Sequence, residues 1–176
     1  MAVITSAGTG NSNTGGTWTG GVVPDATSDV QILNTHTITL NTTHTWNSLD
    51  LQDGGTLDGD GNELTIDGET GGGYAVNLDG AISGTDTDIT ITTAASTFID
   101  LNATSGSLRN LTINHSSCVA YLNTSFTLSG DLTITAGELD LDGEGNLTVT
   151  GDASVTGTLT GTDMAVTLGS LTIESG

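Results

Sequence analysis

Leu64-Thr65-Ile66 is a phrase that this chain keeps repeating. It returns as Ile89-Thr90-Ile91, Leu111-Thr112-Ile113, Leu132-Thr133-Ile134, Leu147-Thr148-Val149 and Leu171-Thr172-Ile173. The starts lie 25, 22, 21, 15 and 24 residues apart. Successive side chains of an extended chain point to opposite faces, so each phrase sets two apolar groups on one side and Thr on the other. A short strand recurring every 20–25 residues or so is the mark of a solenoid, whose coils need neighbours to bury their apolar side. The gap of 15 shows that the phrase marks sides of a coil, not whole turns.

A longer self-match agrees. Residues 49–68, LDLQDGGTLDGDGNELTIDG, align end to end with 132–151, LTITAGELDLDGEGNLTVTG. Each copy holds apolar strands separated by Gly-Asp corners, where Gly supplies the positive φ that tight corners need. The expected fold is all-β: a single-stranded parallel β-helix (β-solenoid) of about seven short coils with an N-terminal cap. The rival is an antiparallel β-sandwich, which uses longer strands and bulky core aromatics. Here aromatics are only 3% of the chain, and most strands read as three to five residues long. They are expected at 30–32, 36–40, 48–51, 63–66, 74–78, 88–91, 97–101, 108–113, 119–122, 126–128, 132–135, 138–141, 146–149, 153–159, 164–168 and 171–173.

Composition fits a thin core. Apolar residues are 34% of 176, Thr fills 35 positions and Gly 26. Leu, Ile and Val can stack in columns along a narrow tube, and Thr suits a pleated outer surface. Residues 1–29 read as an N-terminal cap or attachment segment, and 30–176 as the solenoid. An open solenoid end exposes apolar interior and free backbone, so Trp18, Val22, Val23 and Pro24 are assigned to covering it. The other reading of Trp18 is a platform for a sugar ring.

The net charge is −20, and Arg109 is the sole Lys or Arg. That excludes a phosphate-binding surface and nucleic acid as a partner. It also disfavours an anionic membrane surface, and no apolar run reaches the length of a span. The start, Met1-Ala2-Val3-Ile4-Thr5-Ser6, has no charged and apolar leader pattern. The expectation is synthesis in a cytoplasm with release by lysis; the alternative is an exported chain that has lost its signal. Cys118 is the single cysteine and reads as a small buried residue beside Val119 and Ala120. The chain closes on Leu171-Thr172-Ile173 within a coil, from which self-association through that end is expected.

Few residues suggest chemistry. Asp58-Gly-Asp60-Gly-Asn62, echoed by Asp142-Gly-Glu144-Gly-Asn146, alternates oxygen ligands with Gly as a calcium loop begins. However, Glu63 stands where an EF-hand requires Gly, and Leu64-Thr65-Ile66 reads as a strand. These six residues remain candidates for weak Ca²⁺ binding, with Gly-rich corners as the alternative; no other cofactor is expected. His36 and His44 lie eight residues apart with no third ligand nearby, and His115 is isolated, so a zinc site is not expected. Asp86/Asp88 and Asp140/Asp142 are carboxylate pairs that a glycosidase would need. They lie at strand ends or turns, where Asp is common for backbone reasons. No catalytic residue is assigned, and the chain is expected not to be an enzyme.

The opening Trp18-Thr-Gly-Gly-Val-Val-Pro24-Asp-Ala-Thr-Ser-Asp29-Val-Gln-Ile32, followed by Leu57-Asp-Gly-Asp-Gly-Asn-Glu-Leu-Thr-Ile66, resembles β-solenoid structural proteins of tailed bacteriophages and bacterial surfaces. The resemblance covers about residues 15–70 and carries no catalytic residues. It implies a virion surface component: a head fibre, a decoration or cement protein, or a tail-fibre part. The partners it implies are other capsid or tail proteins, further copies of the chain (a homotrimer among the arrangements), or a host glycan. The alternatives are a bacterial adhesin or stalk at the cell surface, and a carbohydrate-binding or carbohydrate-cleaving module.

Overall fold

The computed structural model describes residues 2–68, 75–93, 99–100, 105–122, 124–141, 146–161 and 165–173. The chain winds as a parallel β-solenoid of about six turns. The first coil carries β1 (Ala2–Thr5) and β2 (Gly10–Asn11). The second has β3 (Ser28–Ile32), β4 (Thr37–Thr39) and β5 (His44–Trp46), and the third β6 (Ser48–Leu51), β7 (Thr56–Asp58) and β8 (Glu63–Ile66). Then follow β9 (Val76–Leu78), β10 (Ala81–Ser83), β11 (Asp88–Ile91) and β12 (Ile99–Asp100). The later coils use β13 (Asn110–Tyr121), β14 (Phe126–Leu128), β15 (Leu132–Asp140), β16 (Leu147–Val155), β17 (Thr158–Thr160) and β18 (Val166–Ile173).

Three faces result. The first stacks β1, β3, β6, β9 and β12, then the C-terminal part of β13. The second begins with β2, β4, β7 and β10. The third stacks β5, β8, β11 and the N-terminal parts of β13 and β15. All these ladders are parallel, which is the geometry of a helix and not of the antiparallel sandwich. A parallel pair needs a long crossover, and here the other two faces of each coil supply it.

The recurring phrase lands mostly on the third face. Leu64, Ile89, Leu111 and Leu132 occupy one column in register, continued by Ala153 and Leu171. Leu147-Thr148-Val149 lies instead on the second face, paired with Phe126–Leu128 and Val166–Leu168. The short gap of 15 residues is therefore a change of face. The 49–68 and 132–151 copies are likewise out of phase: Leu49 is on the first face and Leu132 on the third. The faces resemble one another in sequence because each solves the same problem of one apolar side.

Inward residues fill the tube. Leu64, Ile66, Ile91, Ile113, Leu132 and Ile134 are fully buried. In the last described rung Leu171 and Ile173 hold the same columns but are 49% and 75% exposed, with no further rung among the described residues to cover them. Strand limits differ from expectation at the corners. Segments 108–113 and 119–122 merge into β13, and 132–135 and 138–141 into β15. Parallel pairing continues around the corner, with register shifts between Ile113, Asn114 and Val119. Gly137, at φ 94°, lets it pass: a Cβ there would stand 2.5 Å from the His115 carbonyl oxygen.

Candidate functional site

Two outer ladders run along the third face. Thr45, Thr65, Thr90, Thr112, Thr133, Ser154 and Thr172 pair rung to rung as one column of hydroxyls. At roughly 4.8 Å per rung this row is rigid, since Thr has few χ1 choices on a sheet. Beside it, from β11 onward, a polar side chain at or near the strand start accepts from the next coil. Asp88 Oδ1 accepts the Asn110 N–H at 3.2 Å, Asn110 Oδ1 the Asp131 N–H at 2.7 Å, and Asp131 Oδ1 the Asp152 N–H at 2.8 Å. Ser170 Oγ donates to Asp152 Oδ1. The same device recurs where Asn146 Oδ1 accepts the Ala165 N–H at 3.2 Å. These carboxylates and amides tie coil to coil at or just before the first pair of each ladder.

Asp88, one of the candidate catalytic acids, is committed to this ladder. Arg109 grips it through Nε at 2.8 Å and a terminal nitrogen at 2.5 Å, and Asn110 Nδ2 donates to it at 3.0 Å. The bond to Asp88 raises the pKa of Arg109 further above its ordinary value. Asp86 keeps Oδ1 buried without a hydrogen bond, as does the neighbouring Thr87 hydroxyl. Asp140 lies on β15 opposite Tyr121 and Thr160; its partner Asp142 is outside the described residues.

The first calcium candidate is a corner. Asp60 and Gly61 have φ of 47° and 76°, and the Asn62 N–H returns to the Gly59 carbonyl at 2.8 Å. Positive φ at both central residues is the pattern of a type I′ turn. Asn62 Nδ2 donates to the Leu40 and Asp60 carbonyls at 2.6 and 3.1 Å, and Asp58 Oδ1 accepts from the Asp60 N–H at 3.4 Å. The loop is closed by its own bonds. In the second copy Asn146 joins the ladder above, while Asp142 and Glu144 fall outside the described residues. Among the described residues no group of three or more His, Cys, Asp or Glu is gathered as for a metal.

A further polar cluster sits at the N-terminal end. Trp18 is 1% exposed, its Nε1 donates to the Ser12 carbonyl at 2.7 Å, and it meets Trp46 edge-on, centroids 6.0 Å apart at 83°. A ring so enclosed has no face to offer a sugar. Pro24 is buried and Val23 packs against the core, whereas Val22 is 56% exposed. His44 stands in register with Leu64, and Trp46 with Ile66. His44-Thr45-Trp46 is thus a further copy of the recurring phrase, with a polar ring in the Leu column. Its spacing, 20 residues before Leu64, and its central Thr were the available signal; His and Trp in place of Leu and Ile concealed it. His44 Nε2 lies 2.6 Å from Ser12 Oγ, and His36 Nδ1 lies 2.8 Å from Ser6 Oγ. Burial pushes the His44 pKa below its ordinary value.

Cys118 is buried, and burial pushes its thiol up to about 11, so at neutral pH it is no nucleophile. It borders a shallow groove of about 280 Å³ at the corner between the third and first faces, lined also by Ser117, Gly137, Glu138 and Thr158. Glu138 there accepts from Thr160 Oγ1 at 2.6 Å. His115 Nδ1 accepts from the Ser117 N–H at 3.1 Å, far in sequence from His36 and His44. No protein family, curated protein or solved structure matches this chain.

Proposed function

We propose that this chain is a non-enzymatic structural component of a virion surface: a head fibre, a decoration or cement protein, or a tail-fibre part. The observation that carries the structural reading is the use made of its polar groups. Asp88, one of the candidate carboxylates, together with Asn110, Asp131 and Asp152, is engaged in binding one coil to the next. The third face also presents a straight row of hydroxyls, suited to spacing and display. The viral setting rests on the resemblance at residues 18–32 and 57–66 and on the acidic composition. A bacterial adhesin or stalk is the second reading, favoured by the same rod geometry.

Antibody raised against the purified chain, followed by gold labelling of phage particles and of host cells, separates the two. Label on particle heads or tails is the expected result. Label confined to the cell envelope would transfer the chain to the adhesin class. Release of reducing sugar from a glycan panel would overturn the non-enzymatic reading.

A further inference from the structure

The first coil is joined to the second through two histidine–serine contacts at buried hydroxyls. Ser6 and Ser12 are 1% and 0% exposed. Ser6 Oγ accepts the Leu33 N–H at 2.9 Å, so its own hydrogen is left for His36 Nδ1 at 2.8 Å. Assigned from that network, His36 Nδ1 accepts the Ser6 hydroxyl. A proton on Nδ1 would set a donor against a hydroxyl whose hydrogen then has no acceptor. Ser12 Oγ contacts both Asn41 Oδ1, at 3.2 Å, and His44 Nε2, at 2.6 Å. The His44 ring leans on Trp46, centroids 5.5 Å apart, beside an indole N–H that is buried and unpaired.

Among the described residues no carboxylate lies within ion-pair distance of either ring. Residues 2–24 contain no charged side chain. The acids on the neighbouring elements are turned to other partners or to solvent. Glu63 and Asp67 accept from Thr90 and Thr92, Asp58 lies 3.5 Å from Thr39 Oγ1, and Asp53 is exposed.

We propose that His36 and His44 form an acid-released latch that holds the N-terminal coil, residues 2–21, on the solenoid. The sign follows from linkage. His44 is depressed by burial in the folded state, so the opened state binds the proton more readily. Closure is complete above the ordinary histidine range and weakens as pH falls below about 6.5. Release would uncover Trp18 and Trp46, the two tryptophans of the chain, and the free edges of β3 and β4.

Hydrogen exchange on the intact chain, corrected for intrinsic rates, tests this between about pH 7.5 and about pH 5.5. Protection within residues 2–21 is expected to fall at least about tenfold, while β8, β11 and β15 keep theirs. Tryptophan emission should shift to the red over the same interval. The H36Q/H44Q double variant, whose amides do not titrate, should keep the first coil protected at both pH values. Unchanged wild-type protection, or an undiminished pH response in the double variant, overturns the proposal. Should the double variant lose the coil at every pH, the wild-type midpoint decides. It must coincide with the imidazole titration of His36 or His44 by NMR, and a midpoint in the carboxylate range, near about pH 4, overturns the latch.

Discussion

His44 occupies a position that every later coil gives to an apolar residue, and that exchange shapes the N-terminal end. An imidazole in the Leu column can face Ser12 and lean on Trp46, which a leucine could not do. Asp88 shows the same economy of placement further along. It receives Arg109, the Asn110 N–H and the Asn110 side chain together. Asp88→Ala leaves these donors without their acceptor and should cost about 1–3 kcal/mol in urea unfolding. Arg109→Ala removes a side chain that is 38% exposed, against 20% for Asp88, and should cost under about 1 kcal/mol. Equal losses for the two would show that the ion pair, and not the ladder hydrogen bonds, dominates at this rung.

At the scale of the strand, inward and outward positions carry different energies. Leu111 is buried in a column between Ile89 and Leu132, whereas Thr112 faces out between Thr90 and Thr133. Leu111→Ala removes packing from a narrow tube that cannot collapse far, and should cost about 2–5 kcal/mol. Thr112→Val keeps the β-branched shape and should stay within about 0.5 kcal/mol. Chemical denaturation of both variants measures the difference; a reversal of the two would mean the register is shifted by one residue. The strand phrases were legible in the sequence because period-two alternation is local. The union of 108–113 with 119–122 was not, because it depends on what β15 offers across the corner: Asn114 pairs with Ala136 and Val119 with Glu138.

Across the whole molecule the charge is unbalanced, −20 with one cation. Coils stacked at roughly 4.8 Å bring outward acids of the first face, such as Asp29 and Asp50, onto adjacent rungs. Gln31 Nε2 and Asn77 Nδ2 each donate to Asp50, at 2.9 and 3.0 Å, which relieves part of the repulsion locally. The rest is long-range and open to screening. Raising NaCl from about 0.01 to about 1 M shortens the screening length from roughly 30 to 3 Å. The melting temperature should then rise by at least about 3 °C, the shift that roughly 1 kcal/mol gives a domain of this size. A melting temperature that is flat or falls with salt would mean that the paired contacts, Arg109–Asp88 foremost, outweigh the net repulsion.

A parallel solenoid with Leu and Ile inside and Thr outside was legible from the order of residues alone. Alternation within a strand and recurrence between strands are written along the chain and need no partner to be read. The sequence also determined that the chain is strongly acidic, −20 with a single Lys or Arg. Tertiary structure alone decided which copy of the phrase lies on which face, because corner lengths vary and only pairing fixes the phase. It alone revealed His44-Thr45-Trp46 as a member of the series, and the strand-start carboxylates as ties between coils. Those identities come from contacts about 20 or more residues apart in sequence, where register, and not residue type, chooses the partner.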